Sequence, residues 1–362
     1  MAHHALYAPL QMGAVEISNR IILAPLTRNR ATPDGVPGPW AKEYYTQRAS
    51  GGLLITEATQ ITPMGKGYLN TPGIHSAEQI AAWREITDSV HAAGGKIALQ
   101  LWHVGRISHS SLLPDGAQPV APSALQAKSQ VFNETGFVDT DMPRALETSE
   151  IPDVINHYVQ AARNARDAGF DLVEIHAANG YLIDQFLRDG SNQRTDDYGG
   201  SVENRVRLLR DVTSAVSRAI GSDRIGVRLS PAGTFNDMVD SDPKTTFVAA
   251  ANALNALDLA YLHVVEDFAT QNPLPDTAEI LEAVRQTWGG TFIANGGYDG
   301  AKADQAVTTG HADAIAFGVP YLANPDLPER IKRDAPLNTP DQSTFYGGDA
   351  TGYTDYPVFE SA

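Results

Sequence analysis

The sequence contains no cysteine. Disulfides, thiolate zinc sites, cysteine nucleophiles and cysteine-held iron–sulfur clusters are therefore excluded together. Charge is sparse and leans acidic: 19% of the 362 residues are charged, with 43 Asp and Glu against 27 Lys and Arg, a formal net charge of −16. No Lys/Arg run interrupts that balance, which argues against nucleic acid and against an anionic membrane surface as partners. No stretch approaches the roughly 18 continuous apolar residues of a spanning helix. The opening Met1–Ala5 lacks the basic and apolar blocks of a signal peptide. The expectation is a cytoplasmic monomer or weak homodimer acting on a small molecule. His3 and His4 read as a frayed end, and no His, Asp or Glu cluster has ligand spacing, so no metal is expected.

What is present is a core, with apolar residues making up 42% of the chain. Short, almost continuously apolar runs recur at Arg20–Pro25, Gly52–Ala58, Lys96–His103, Phe170–His176, Arg224–Ser230, Leu259–Val265, Thr291–Ala294 and Ala312–Gly318. That character marks strands buried on both faces. Amphipathic helices are predicted between them at Ser76–Ala93, Ile151–Ala168, Ser201–Ile220, Lys244–Ala256, Thr277–Trp288 and Asp299–Gly310. Eight β/α units favour one closed α/β barrel of the (β/α)8 TIM type, spanning residues 1–362 as a single domain, over an open doubly wound sheet. Leu6–Asn19 alternates around a glycine and reads as a hairpin lid on the barrel floor. Ser108–Glu147 is too long for a bare loop and reads as an excursion over the catalytic mouth after strand three.

Barrel chemistry gathers at the C-terminal strand ends. There the sequence places Thr27 and Arg28, then Gln100, Trp102 and His103, then His176, Asn179 and Tyr181, and Arg228 within an otherwise apolar strand. The segments APLTRNR (Ala24–Arg30), ITEATQI (Ile55–Ile61), LQLWHVGRISH (Leu99–His109), EIHAANGYLIDQFL (Glu174–Leu187), SNQRTDDYGGSVENR (Ser191–Arg205) and the tail from Phe345 to Pro357 resemble the Old Yellow Enzyme family, in order and over most of the chain. The resemblance implies noncovalently bound FMN, NADPH or NADH as hydride donor, and reduction of activated C=C bonds in α,β-unsaturated carbonyl or nitro compounds.

By that resemblance, His176 and Asn179 bind the substrate carbonyl, Tyr181 protonates the α-carbon, and Trp102, Tyr68 and Thr27 help enclose the substrate. Two neutral donors aimed at one oxygen suit the charge that hydride addition develops there. A phenol stays protonated at neutral pH and suits an acid. A lone strand-end histidine, or a tyrosine after glycine, is more often a structural group; the H-x-x-N pair reverses that balance. Arg228 would face the N1–C2 edge of reduced flavin, Gln100 its pyrimidine edge, and Thr27 its C4 oxygen. Ala24, Pro25, Leu26 and Ala58 would line the ring, with Tyr346 at the mouth. Asn295, Gly296 and Gly297 after strand seven, and Phe317, Gly318 and Val319 after strand eight, would hold the phosphate. The loop Ser108–Glu147 and the Phe268–Thr277 region are expected to set substrate choice.

Two rivals remain open from the residues alone: a flavin-binding redox sensor without turnover, and a barrel lyase or aldolase. The latter lacks an interior lysine at a strand end. One departure from the family matters. Where relatives carry arginine after the strand-eight glycine, this chain has Val319. Loss of that cation should weaken FMN binding or shift the burden to backbone amides or another basic group; the expectation is easier flavin loss, which Val319→Arg should slow. Absorbance at the flavin band after prolonged dialysis checks this: equal retention by both proteins contradicts it.

Overall fold

The computed structural model describes residues 4–267 and 274–359. Eight parallel strands form one continuous ladder: Ile21–Leu23, Leu53–Ile55, Ile97–Trp102, Leu172–His176, Ile225–Leu229, Tyr261–Val265, Phe292–Asn295 and Ala314–Phe317, called strands 1 to 8 below. Strand 8 pairs back onto strand 1, so the sheet closes. Strands 1 to 6 and strand 8 are buried at every position, as their unbroken apolar sequence requires when helices cover one face and side chains fill the other. The expected strands are all present. Most are shorter than the apolar runs by one to three residues, because the run ends curl into loops.

The long helices also fall where the 3.6-residue period placed them. Ala77–Ala92 starts at Ser76, whose hydroxyl accepts from the Gln79 N–H while the Gln79 side chain accepts from the Ser76 N–H. Ile151–Asp167, Val202–Ile220, Pro243–Asn255, Thr277–Thr287 and Gly300–Thr308 complete the outer ring. Four short helices escaped sequence reading: Ala41–Thr46, Leu182–Leu187, Val319–Ala323 and Leu327–Lys332. At five or six residues none completes two turns, so no period can show. Among the described residues, no helix is long and apolar enough to cross a membrane.

The N-terminal hairpin, Leu10–Met12 paired with Val15–Ile17, lies across the bottom of the barrel. The Ala14 N–H donates to the Asp223 carbonyl just before strand 5. Met12, Val15 and Ile17 pack with Ile22, Leu53, Ala98, Leu172 and Ile293 into a dry plug. Residues two apart on a strand share a face, so above Ala98 and Leu172 the interior continues with Gln100 and Trp102, and with Glu174 and His176. The barrel thus turns polar halfway up.

Room for that polar layer comes from Gly226 on strand 5. A Cβ there would lie 2.0 Å from the Tyr261 ring, so only glycine lets the tyrosine cross the barrel. Gly226→Ala should destabilise by about 1–3 kcal/mol or more through overpacking. Thermal denaturation checks it; an unchanged midpoint would show that Tyr261 has somewhere else to go.

Candidate functional site

The mouth is built by loops leaving the strand tops. The excursion after strand 3 carries a hairpin, Gln130–Asn133 with Gly136–Asp139, and a two-residue parallel pair, Val120–Ala121 with Arg144–Ala145. Its Leu112, Ala127 and Val131 pack with Ala58, Trp102 and Tyr181, which places it over the mouth as the sequence predicts. Of the second expected specificity region, residues 268–273 lie outside the described residues.

His176 ends strand 4, and Asn179 follows in a left-handed turn at φ 59°. Asparagine tolerates that conformation better than most residues. The turn is pinned from several sides. The Asn179 N–H donates to Ser230 Oγ, the Gly180 N–H donates to Asp184 Oδ2, and Asn236 Nδ2 donates to the Asn179 carbonyl. Asp184 in turn holds Arg188 at 2.8 Å in a fully buried ion pair, and Arg188 donates to the Ser230 carbonyl. Removing one partner of such a pair costs several kcal/mol, so the turn is rigid. Ser230 and Asn236 were not legible as site residues because their partners are distant in sequence; Asp184 and Arg188 pair at i,i+4 where a segment read for its resemblance ends.

The side chains this scaffold presents are unmatched. His176 Nδ1 and Asn179 Oδ1 are buried without a hydrogen-bond partner among the described residues. Buried polar groups without partners are rare, and a functional site is one place they persist. Burial, then the nearby Arg228 and His263, hold the His176 imidazole well below its ordinary pKa, so it is neutral. Tyr181 stands edge-on to His176 with ring centroids 5.0 Å apart. Its hydroxyl lies 3.3 Å from that of Tyr68. Burial, with Tyr68 second, raises the Tyr181 phenol well above its usual value, so it keeps its proton. Trp102 is enclosed, stacked on Tyr68 and edge-on to Tyr181. It backs the two tyrosines as a wall.

On the next strand, Arg228 lies in register with His176 on one side and His263 on the other. Its Nη2 donates to Asn295 Oδ1 at 2.7 Å, while its Nε has no partner among the described residues. No ion pair satisfies this cation among the described residues, so it has capacity for a further anion or acceptor. Asn295 is occupied by Arg228 and, through Nδ2, by the Ala316 carbonyl. That leaves the backbone N–H groups of Gly296, Gly297 and Gly318, which donate to no other described residue. Gly296 and Gly297 have φ of 145° and 63°, backbone that glycine adopts without strain.

Ala24 and Pro25 are buried at the top of strand 1, and Leu26 and Thr27 are half-buried just beyond. Val319 is half-exposed and opens the short helix after Gly318. Arg28, expected only as a strand-end polar group, is wholly buried and holds the C-terminal tail. It lies over the rings of Tyr44 and Tyr353 and donates to the carbonyls of Phe345 and Gly352. Tyr346, on that tail, is 70% exposed and forms a rim rather than a wall. Sequence reading also missed Glu174: fully buried, it accepts from Gln100 Nε2 at 2.7 Å and from His263 Nδ1 at 2.8 Å.

Together these features make a cleft with an unpaired cation, bare backbone donors, a neutral donor pair and a protonated phenol. A flat, anion-bearing aromatic cofactor with a phosphate tail fits that set.

The sequence profile of the NADH:flavin oxidoreductase / NADH oxidase family matches residues 5–338. A putative 12-oxophytodienoate reductase 11 of Oryza sativa subsp. japonica is 47% identical over 360 residues, covering 98% of each chain. A solved morphinone reductase in complex with tetrahydroNAD superimposes with a TM-score of 0.92 at 48% identity, covering 98% of both chains. The old yellow enzyme homologue from Zymomonas mobilis gives 0.93 at 46% identity, covering 98% of this chain and 99% of that one.

His103 offers a test of the mouth's burial. Desolvation, with His157 adding, pushes its pKa down to about 3. A depressed histidine binds protons only when unfolded, so its contribution to stability is present above about pH 6.5 and lost as pH falls. At pH 5 that loss is about 2 kcal/mol. Glu57 works oppositely: burial raises it to about 7, so its cost to the fold eases as pH falls from 7 towards 4.5. The comparison must therefore be between variants. His103→Gln should lessen the drop in thermal midpoint between pH 7 and 5 relative to the wild type; parallel curves would contradict it.

Proposed function

The chain belongs to the NADH:flavin oxidoreductase / NADH oxidase family, and from that premise we propose that it is an ene-reductase whose donor pair is His176 and Asn179 and whose acid is Tyr181. FMN is the cofactor, and when bound it supplies the hydride, taken from a reduced nicotinamide and given to the β-carbon of an activated C=C bond.

The observation that carries the reading is at the strand-4 turn: His176 Nδ1 is buried without a partner, and the Asn179 amide, whose Oδ1 is equally orphaned, leaves its Nδ2 as the donor beside it. A carbonyl oxygen placed there accepts from the imidazole and the amide. As hydride reaches the β-carbon, electron density moves to that oxygen, and both hydrogen bonds strengthen without any reorganisation of the pinned turn. Both donors are neutral, so they stabilise the developing charge without neutralising it by proton transfer. Tyr181 then delivers its proton to the α-carbon. Tyr68, 3.3 Å from the same hydroxyl, stabilises the phenolate left behind and relays a replacement proton.

Arg228, with one face unpaired, balances the negative charge of the reduced cofactor, and Gln100 reads its pyrimidine edge. The free N–H groups of Gly296, Gly297 and Gly318 take the phosphate. They assume the role of the cation missing at Val319. Ala24, Pro25, Leu26, Thr27 and Ala58 wall the ring, and Tyr346 closes the rim as substrate enters. Residues 1–362 act as a single catalytic unit. The cysteine-free composition supports a reducing cytoplasm.

Anaerobic titration tests this directly. NADPH or NADH should bleach the yellow protein, and cyclohexenone should restore its colour. Tyr181→Phe should slow recolouring by about 10²-fold or more while leaving the bleaching step nearly intact. Equal loss of both half-reactions would remove Tyr181 from the proton-donor role.

A further inference from the structure

Eight-stranded barrels usually fill their interior with layers of branched apolar side chains. Here one layer carries Glu174, fully buried in mid-barrel. An ionised carboxylate in a core is often replaceable by an apolar residue at no cost to stability, so stability alone does not explain it. Its partners are specific: Gln100 Nε2 donates to one oxygen and His263 Nδ1 to the other. Gln100 faces Glu174 directly in the strand pairing, and Arg228 lies one residue pair higher on the next strand. Burial alone would lift the Glu174 carboxyl, but His263, Arg228 and Gln100 together hold it below the usual carboxylate range. Burial first, and Arg228 after it, lower the pKa of the His263 imidazole against the opposing pull of Glu174. The barrel centre therefore holds one anion and one cation, set against each other without touching.

We propose that Glu174 is a positioning residue for the bound flavin: its carboxylate fixes which end of the Gln100 amide faces the pyrimidine edge, and its charge offsets Arg228 to hold down the reduction potential. The first half follows from donor chemistry. A carboxylate only accepts hydrogen bonds, so the NH2 end of Gln100 must face Glu174, and the carbonyl oxygen is turned away from it. That oxygen meets the ring N3–H of a flavin, the one donor on that edge. The second half follows from Coulomb's law. Arg228 stabilises the anionic reduced flavin, and an anion beside Arg228 works against that stabilisation at any effective dielectric. Without Glu174 the flavin would be a weaker hydride donor. The inference rests on FMN occupying this barrel.

The test uses the FMN-loaded protein and its Glu174→Gln variant, which is nearly isosteric and uncharged. The midpoint potential of the variant should rise by about 30 mV, the two-electron equivalent of a tenfold gain in preference for the reduced cofactor. Fluorescence titration of the apoproteins with FMN and with 3-methyl-FMN, whose N3 carries no proton, reads the amide. Wild type should favour FMN strongly, and the variant should lose most of that preference because its amide pair can flip. An unchanged or lowered potential overturns the electrostatic half, and an unchanged preference overturns the orientation half. If Glu174→Gln does not fold, Glu174→Asp keeps the charge but draws the oxygen away from Gln100. It should lower the preference without raising the potential, and full retention of the preference would overturn the proposal. A wild-type protein that retained no FMN would defeat the cofactor assignment instead, before any variant was made.

Discussion

A guanidinium in the middle of a parallel barrel, with no carboxylate in ion-pair reach among the described residues, is the constraint that organises this molecule. Desolvating such a cation costs several kcal/mol unless strong acceptors face it. Asn295 supplies one acceptor to Arg228, and Glu174 supplies opposite charge at a distance. The remaining capacity, at Nε, points to an occupant that the protein itself does not provide. The barrel below is adapted to that requirement. The hairpin plug keeps water from the floor, and Gly226 clears the space in which Tyr261 crosses.

The same economy governs the mouth. His176 Nδ1 and Asn179 Oδ1 are left without partners while the backbone of their turn is fully tied down. Asp184, Arg188, Ser230 and Asn236 fix the backbone of the turn, so the two side chains need no hydrogen bonds of their own to stay in place. Rigid support beneath an imidazole and an amide that are not tied up by the protein is what preorganised stabilisation of an oxyanion requires. The tail is held likewise, by Arg28 beside the stacked rings of Tyr44 and Tyr353, and so Tyr346 can sit exposed at the rim of an otherwise enclosed pocket.

The sequence showed the barrel clearly because buried parallel strands leave continuous apolar runs and long helices leave a 3.6-residue period. Six long helices and all eight strands could be placed that way; the hairpin lid and the excursion followed from alternation and loop length. The H-x-x-N pair and Tyr181 were visible because they are close in sequence. Glu174 and His263 were not, although each is polar within an apolar run. Glu174 lay inside a run read as a buried strand and inside a segment that resembles a family, and its meaning depends on Gln100 and His263, which are 74 and 89 residues away. Charge inside a strand of a closed barrel was the available signal, and it was applied to Arg228 alone.

The central claim is that His176 and Asn179 together receive the oxygen of the substrate. A crystal structure of the FMN-loaded protein with a phenol, whose oxygen imitates the enolate, tests it most directly. The account predicts that oxygen roughly 2.7–3.2 Å from both a ring nitrogen of His176 and the amide nitrogen of Asn179. A phenol bound over the flavin with its oxygen bonded to neither side chain would contradict it.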